Sequence, residues 1–189
     1  MFGKKKKRLK DQLTREQKER QELENQFQEA SEKANYLNLL PTPVMAIDKQ
    51  FNVKFMNEAG ARTVGLTPEK CVGQKCYNLF RTVHCNTPEC RLSQAMQKDS
   101  TFTGDTEALN GKLPIRYTGA PIKDTDGNIA GALEYVLDIS KETKITNSIL
   151  DLAEAAENGN LSERADSEKF QGNYRRIVEG ANQTLDNLI

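Results

Sequence analysis

No stretch of this 189-residue chain approaches the roughly 18 consecutive apolar residues of a membrane-spanning helix. No apolar core follows the N-terminal lysines, as it would in a secretory signal. These two absences predict a soluble, cytoplasmic chain. Its four cysteines then meet a reducing environment and serve as thiols, metal ligands or redox groups rather than as permanent staples. Net charge is absent too, with 27 basic and 27 acidic side chains. At 37% hydrophobic residues the chain is too polar to be one uniform globule, so its apolar residues must be unevenly spread. Phosphate-binding glycine loops and kinase nucleotide motifs are missing. His84 is the sole histidine, so a nucleophilic cysteine has no other imidazole to act as its base. A catalytic role is therefore not expected.

What is present is concentrated between Cys71 and Cys90, which hold every cysteine and the histidine. The spacing, Cys-x4-Cys-x8-Cys-x4-Cys, lacks the Cys-x2-Cys knuckles of a strong zinc signature. Three readings follow. Cys71, Cys76, Cys85 and Cys90, with His84 as a further ligand, converge on zinc or an iron–sulfur cluster, both of which suit soft thiolates. Alternatively they form reversible disulfides, or they pack as small apolar core residues. Thr87-Pro88 reads as a helix start, which places Cys90 in a first turn where free N–H groups lower a thiol's pKa.

The N-terminus carries Lys4, Lys5, Lys6, Lys7, Arg8 and Lys10 without an acid, either a solvated helix start or a contact for an anionic membrane surface. Without interleaved aromatics it does not predict nucleic-acid binding. Leu9, Leu13, Glu16, Arg20, Leu23, Phe27, Ala30, Ala34 and Leu37 follow at alternating spacings of four and three, a heptad seam. So polar a helix cannot bury its stripe alone, and the seam predicts a homodimer. Pro41 and Pro43 end the helix. Val44–Ile47 and Val53–Met56 read as strands around a turn. Asn57–Val64 reads as a short helix closed by Gly65, and Thr67-Pro68 as the next start, with a capping hydroxyl. Beyond Asp99, Thr101–Leu109, Lys112–Lys123 and Asn128–Leu137 read as a meander turned at Asn110-Gly111 and Asp126-Gly127. Leu113, Ile115 and Tyr117 share one face of it, and Ile129, Gly131, Leu133, Tyr135 and Leu137 share another alternating set.

Asn57-Glu58-Ala59-Gly60, Gly65, Gly73, Pro121 to Asp124, Asp126 to Ala132, and Asp138-Ile139-Ser140 together resemble a PAS domain. The resemblance implies an α+β fold with a five-stranded antiparallel sheet, short helices on one face holding a ligand or cofactor, and an exit through Asp138 and Ser140 into an output helix. Phe55, Tyr77, Phe80, Met96 and Tyr117 are the candidate pocket, though their spacings serve equally well for core. Haem through His84 is a further candidate, because some PAS domains bind haem through a histidine. The cysteine context resembles no photoreceptor adduct and tryptophan is absent, which argues against flavin.

The chain therefore divides into residues 1–38, a basic start and coiled-coil helix; 39–140, the PAS-like domain; and 141–189, helices in which Asn158-Gly159-Asn160 and the residues from Leu161 to Asp186 resemble the HAMP-like relay of methyl-accepting chemotaxis proteins. In that relay Phe170, Tyr174, Ile177, Ala181 and Leu188 are spaced for one helix face. The chain ends in mid-helix without a signalling tip, so its output region and chemotaxis partners are expected outside it. The expected function is a dimeric sensor of redox state, a metal or a small ligand. A cysteine-dependent thiol oxidoreductase and the sensor segment of a histidine kinase are the alternatives.

Overall fold

The structure is a computed structural model. It describes residues 2–188, with only the backbone described for residues 2–9 and 11. The side chains of the basic cluster Lys4 to Arg8 and of Leu9 thus lie outside the described residues, and Lys10 is exposed.

Helix α1 runs Phe2–Asn38 and stops before Pro41 and Pro43. Its seam residues Leu13, Leu23 and Phe27 are 51%, 67% and 75% exposed. Strands β1 (Val44–Asp48), β2 (Val53–Met56), β3 (Phe102–Ala108), β4 (Leu113–Lys123) and β5 (Ile129–Asp138) form one antiparallel sheet in the order β2-β1-β5-β4-β3. The short helices α2 (Glu58–Thr63), α3 (Pro68–Cys71) and α4 (Cys76–Leu79) lie between β2 and β3, followed by α5 (Arg91–Lys98). The turns fall at the glycines that the dipeptide chemistry indicates. Asn110 and Gly111 take φ of 58° and 83°, and Gly127 takes 84°.

Two helix starts depart from the reading above. Pro68 does occupy the first position of α3, but the Thr67 side chain makes no capping bond. Thr87-Pro88 starts no helix. Its hydroxyl donates back to the His84 carbonyl at 2.9 Å and accepts from Glu89 N–H, closing a turn, so α5 begins only at Arg91 with Cys90 as its N-cap.

The covered face of the sheet also differs on β5. Ala132, Glu134 and Val136 are the buried set, while Tyr135 and Leu137 are 42% and 41% exposed on the opposite face. Pairing explains this. Val136 sits opposite Tyr117 and Glu134 opposite Gly119 on β4, and Ile115 and Tyr117 are the β4 residues that face the helices. At Gly119 a Cβ would lie 2.8 Å from the backbone carbonyl of Arg91, so a residue without a side chain lets the start of α5 rest directly on β4. The core between sheet and helices includes Met45, Ile47, Val53, Met56, Phe80 and Leu92. Full burial of such side chains contributes about 1.5–3 kcal/mol each.

After β5, α6 (Ser140–Glu157) buries Ile145 and Leu152 and ends at Gly159, whose φ is 79°. A 3-10 turn (Ser167–Lys169) leads to α7 (Gly172–Asp186). There Val178 and Leu185 are the buried residues, whereas Ile177 and Leu188 are exposed and Phe170 precedes the helix, a correction to the face expected from spacing. Asn182 holds the connection by accepting from Ala165 N–H at 3.0 Å and donating to its carbonyl at 2.9 Å.

The junction of α1 with the domain rests on Asn57, which has no exposed surface. Its Oδ1 accepts from Val44 N–H and Gly60 N–H, and its Nδ2 donates to the Leu37 and Thr42 carbonyls, each at 2.9 Å. One side chain thereby caps α2 and ties together the end of α1, the proline linker and the start of β1. Asn57→Ala should lower the unfolding free energy by about 3 kcal/mol, the loss of a cap plus buried groups left unpaired. It should also remove amide-exchange protection at Val44 and Gly60. Urea unfolding with hydrogen exchange measures both, and a loss below about 1 kcal/mol would show the hub to be dispensable.

Candidate functional site

Between the sheet and the short helices lies an enclosed cavity of ≈ 30 Å³. Its wall draws Cys76 from the start of α4, Cys85 and Cys90 from the segment before α5, Tyr117 from β4 and Glu134 from β5, closed by apolar groups that include Phe80. The segment between α4 and α5 is anchored by its own turns and by Tyr117. The Tyr117 hydroxyl accepts from Arg91 N–H and donates to the Glu89 carbonyl, both at 3.3 Å, with His84 Nδ1 at 3.0 Å. Cys85 is held through Thr82, whose Oγ1 is 3.4 Å from its Sγ.

Glu134 is the exceptional residue. It is 5% exposed at the centre of the sheet, between Met45 of β1 and Gly119 of β4. Among the described residues no hydrogen bond or ion pair reaches its carboxyl, and burial alone raises its pKa from 4.5 to about 8. Burial likewise pushes up the Cys76 thiol and the Tyr117 phenol, with the carboxylate of Glu134 adding to the effect on each.

Cys90 corrects an expectation. The N–H groups of Leu92 and Ser93 at the start of α5 do favour its thiolate, but desolvation is the larger effect and the pKa is raised, not lowered. Cys85, half-buried, is the most accessible of the four thiols.

The sequence motif is thus divided by the fold. Cys76, Cys85 and Cys90 share the cavity wall, whereas Cys71 is fully buried at the end of α3, outside it, with its thiol raised by desolvation. His84 turns to Tyr117 and is not part of the wall. Of the candidate pocket residues, Tyr77, Phe80 and Tyr117 line the cavity; Phe55 and Met96 do not. Among the described residues no group of three histidine, cysteine, aspartate or glutamate side chains is placed to hold a metal ion, so the donors do not fit zinc or a cluster as they stand. Nor does a cavity of ≈ 30 Å³ fit haem, since cofactor-sized sites run to about 300–1,000 Å³. Among the described residues no helix is long and apolar enough to cross a membrane.

The expected exit, Asp138 and Ser140, lies at the end of the strand that bears the cavity carboxyl. Asp138 Oδ1 accepts from Ser140 N–H at 2.8 Å, holding the first residue of α6. Ser140 is itself the first helical residue and Ile139 the N-cap, so the expected serine cap is absent and the Asp138 carboxylate bonds the first helical N–H instead. The Ile139 N–H donates to the Pro114 carbonyl of β4 at 3.1 Å, and Tyr174 of α7 donates to Glu142 of α6 at 2.8 Å.

A five-stranded antiparallel sheet in this order, with helices on one face and a cavity beneath them, defines a domain of the α+β class. The chain belongs to the PAS-fold family, whose profile matches residues 37–144. It is similar in fold to the PAS domain of a protein from Colwellia psychrerythraea, at 20% identity and a TM-score of 0.51, over 59% of this chain and 98% of that one. It is also similar to an RNA-binding light-oxygen-voltage receptor, at 15% identity and a TM-score of 0.53, over 66% of this chain and 37% of the other. The PAS domain of nitrogen regulation protein NR(II) from Vibrio parahaemolyticus aligns at 18% identity and a TM-score of 0.48, over 57% of this chain and 97% of that one. No curated protein matches the chain.

Glu134 makes stability depend on pH. The folded chain keeps a proton up to about pH 8 that the unfolded chain releases near 4.5. Stability is therefore undiminished below the lower value and falls as pH rises through the window, by up to about 1.4 kcal/mol per pH unit. Glu134→Gln should abolish this fall and be the more stable protein at pH 8. Urea unfolding of both proteins at pH 5, 6.5 and 8 measures it, and parallel pH profiles would show that the carboxyl is not buried as described.

Proposed function

We propose that the chain is the sensory segment of a dimeric, cytoplasmic signalling protein of the chemoreceptor type. The cavity around Glu134 receives the stimulus, and α6 carries the response towards a HAMP-like relay and chemotaxis partners beyond it. The observation that carries this reading is the placement of two carboxylates on one strand. Glu134 faces the cavity, and Asp138, on the same strand, accepts from the N–H of the first residue of α6. A change in contact at the first therefore displaces the second through rigid, paired backbone. A few kcal/mol of differential contact suffices to bias a two-state helix pair. No catalytic step belongs to this reading.

The three thiols of the cavity wall support a second reading of the stimulus, oxidation of Cys85 with Cys76 or Cys90 to a disulfide. Both readings use the same exit.

A second copy of the chain is the partner that suits the exposed apolar positions of α1. Leu23 and Phe27 then lie near the two-fold axis of a parallel dimer, and the basic start of both chains points the same way, where it can meet an anionic membrane surface. Sedimentation at micromolar concentration should show a dimer that Leu23→Glu with Phe27→Glu dissociates. A monomeric parent protein would remove the coiled coil from the reading.

Asp138→Ala should leave the domain folded and the cavity chemistry intact while uncoupling α6 from it. Spin labels at Ile149 in the dimer report the separation of the helices. Stimulus-dependent shifts of equal size in the parent and in Asp138→Ala would place the coupling elsewhere, through α1 and Asn57.

A further inference from the structure

We propose that the cavity selects a small protonated amine, whose ammonium group pairs with the Glu134 carboxylate while its short alkyl part lies against Phe51, Phe80 and Ile115. The proposal rests on the reading of this cavity as the sensory input and names the chemistry of what enters it.

A buried polar group that serves only the fold is almost always hydrogen-bonded, and a buried charge is paired. Glu134 is neither among the described residues, although the Gly119 and Met45 backbones beside it are fully engaged in the sheet. An apolar residue at this central position would pack without penalty. The carboxyl is therefore an unfilled half of an interaction, aimed into the cavity that it lines.

The sign of the missing half follows from what surrounds it. The titratable groups facing Glu134 are Cys76 on α4, Cys85 and Cys90 before α5, and Tyr117 on β4, while β1 contributes only Met45. Each is neutral or negative, and none can become a cation. Arg91, next in sequence to Cys90, is not in the wall: its Nη1 reaches Gln94 and Glu89, and its buried Nε, without a partner among the described residues, lies over Gly104 of β3. A carboxylate or phosphate ligand finds no cation on this wall to pair with; an ammonium group can displace the Glu134 proton and pair with the carboxylate, beside thiol sulfurs and the faces of aromatic rings. Metal ions share the charge but not the fit, because no three donors are placed around one point. Size narrows the class further. A volume of ≈ 30 Å³ exceeds the space for one water but leaves room for only a few heavy atoms, as in methyl- or ethylammonium.

Binding is linked to a proton. Below about pH 8 the carboxyl enters the reaction protonated, so the ammonium ion displaces one proton to solvent and forms the ion pair, with no covalent bond made or broken. Affinity for the ammonium ion should rise about tenfold from pH 6 to pH 7 and level off above pH 8.

The experiment is titration calorimetry on the full chain with methylammonium and ethylammonium chloride, each in phosphate and in MOPS buffer. Methanol, ethanol, sodium acetate and zinc chloride serve as comparison ligands. The expected result is saturable ammonium binding with a Kd on the order of 10 mM at pH 7, the scale open to a ligand of so few atoms that must also displace a proton. Release of about one proton per site should accompany it, from the buffer dependence of the heat. Glu134→Gln, of the same shape, should weaken binding at least about thirtyfold, whereas Cys85→Ser should leave it within about threefold. Because Glu134→Gln is expected to be the more stable protein at pH 8, its loss of binding is not a loss of fold; its urea midpoint, measured on the same sample, verifies that. Undiminished binding by Glu134→Gln, pH-independent affinity, tighter binding of acetate or alcohol, or no ammonium binding by the parent protein each overturns the proposal. The labels at Ile149 separate it from the broader reading. Ammonium binding through Glu134 without movement of α6 sustains the ligand class and removes the sensory role of the cavity. Movement of α6 with zinc or an oxidant but not with amines does the reverse.

Discussion

Four hydrogen bonds converge on the amide of Asn57, and the geometry of the whole N-terminal half is referred to them. The interaction is possible because an amide offers acceptor and donors in one plane, so that the same side chain satisfies two N–H groups at element starts and two carbonyls of a linker. Buried without water, each of those groups would otherwise be left unpaired at a cost of about 1–3 kcal/mol. The consequence is mechanical. The last turn of α1 is held to the edge of the sheet by contacts shorter than the proline linker itself, so displacement of α1 and displacement of β1 are not independent.

From β1 the constraint passes to β5, its neighbour in the sheet, and β5 is where the domain departs from a simple packing solution. A carboxyl occupies a position that the core would fill better with a methylene; burial raises its pKa and those of the Cys76 thiol and the Tyr117 phenol, to which the carboxylate adds a smaller effect. Stability is lower for its presence at neutral and alkaline pH. Such departures from the rules of core packing concentrate where a protein binds or responds. The strand that bears it is paired on both sides, to β1 and to β4.

The helices outside the domain are of a different character. They carry exposed apolar positions, Leu23 and Phe27 in α1 and Leu150 and Ile177 in α6 and α7, beside a few buried ones, Ile145 and Leu152 in α6 and Val178 and Leu185 in α7, and several of their polar contacts, such as Tyr174 to Glu142, join exposed groups. Isolated contacts between exposed groups contribute little, about 0–1 kcal/mol each.

Much of this fold was legible in the amino-acid order because its signals are local. Pro41 and Pro43 forbid continuation of α1, Asn110-Gly111 and Asp126-Gly127 accept the positive φ of tight hairpins, and the strands between them follow. The bond from Ser140 N–H to Asp138, between residues two apart, was legible for the same reason. The phase of β5 was not, since Leu133, Tyr135 and Leu137 alternate on one face and Ala132 and Val136 on the other; both are apolar, and only the register against β1 and β4 turns Glu134 inward. Thr87-Pro88 carries the same helix-start signal as Thr67-Pro68, and its hydroxyl bonds back to His84 instead. The sequence by itself thus determined where elements begin, turn and end, because those choices are made by a residue and its near neighbours. Only the tertiary structure decided which three cysteines share a cavity, that Cys71 is excluded from it, and that a carboxyl stands opposite them. That cavity is assembled from groups as distant in the chain as Phe51 and Glu134, and no local preference records their meeting.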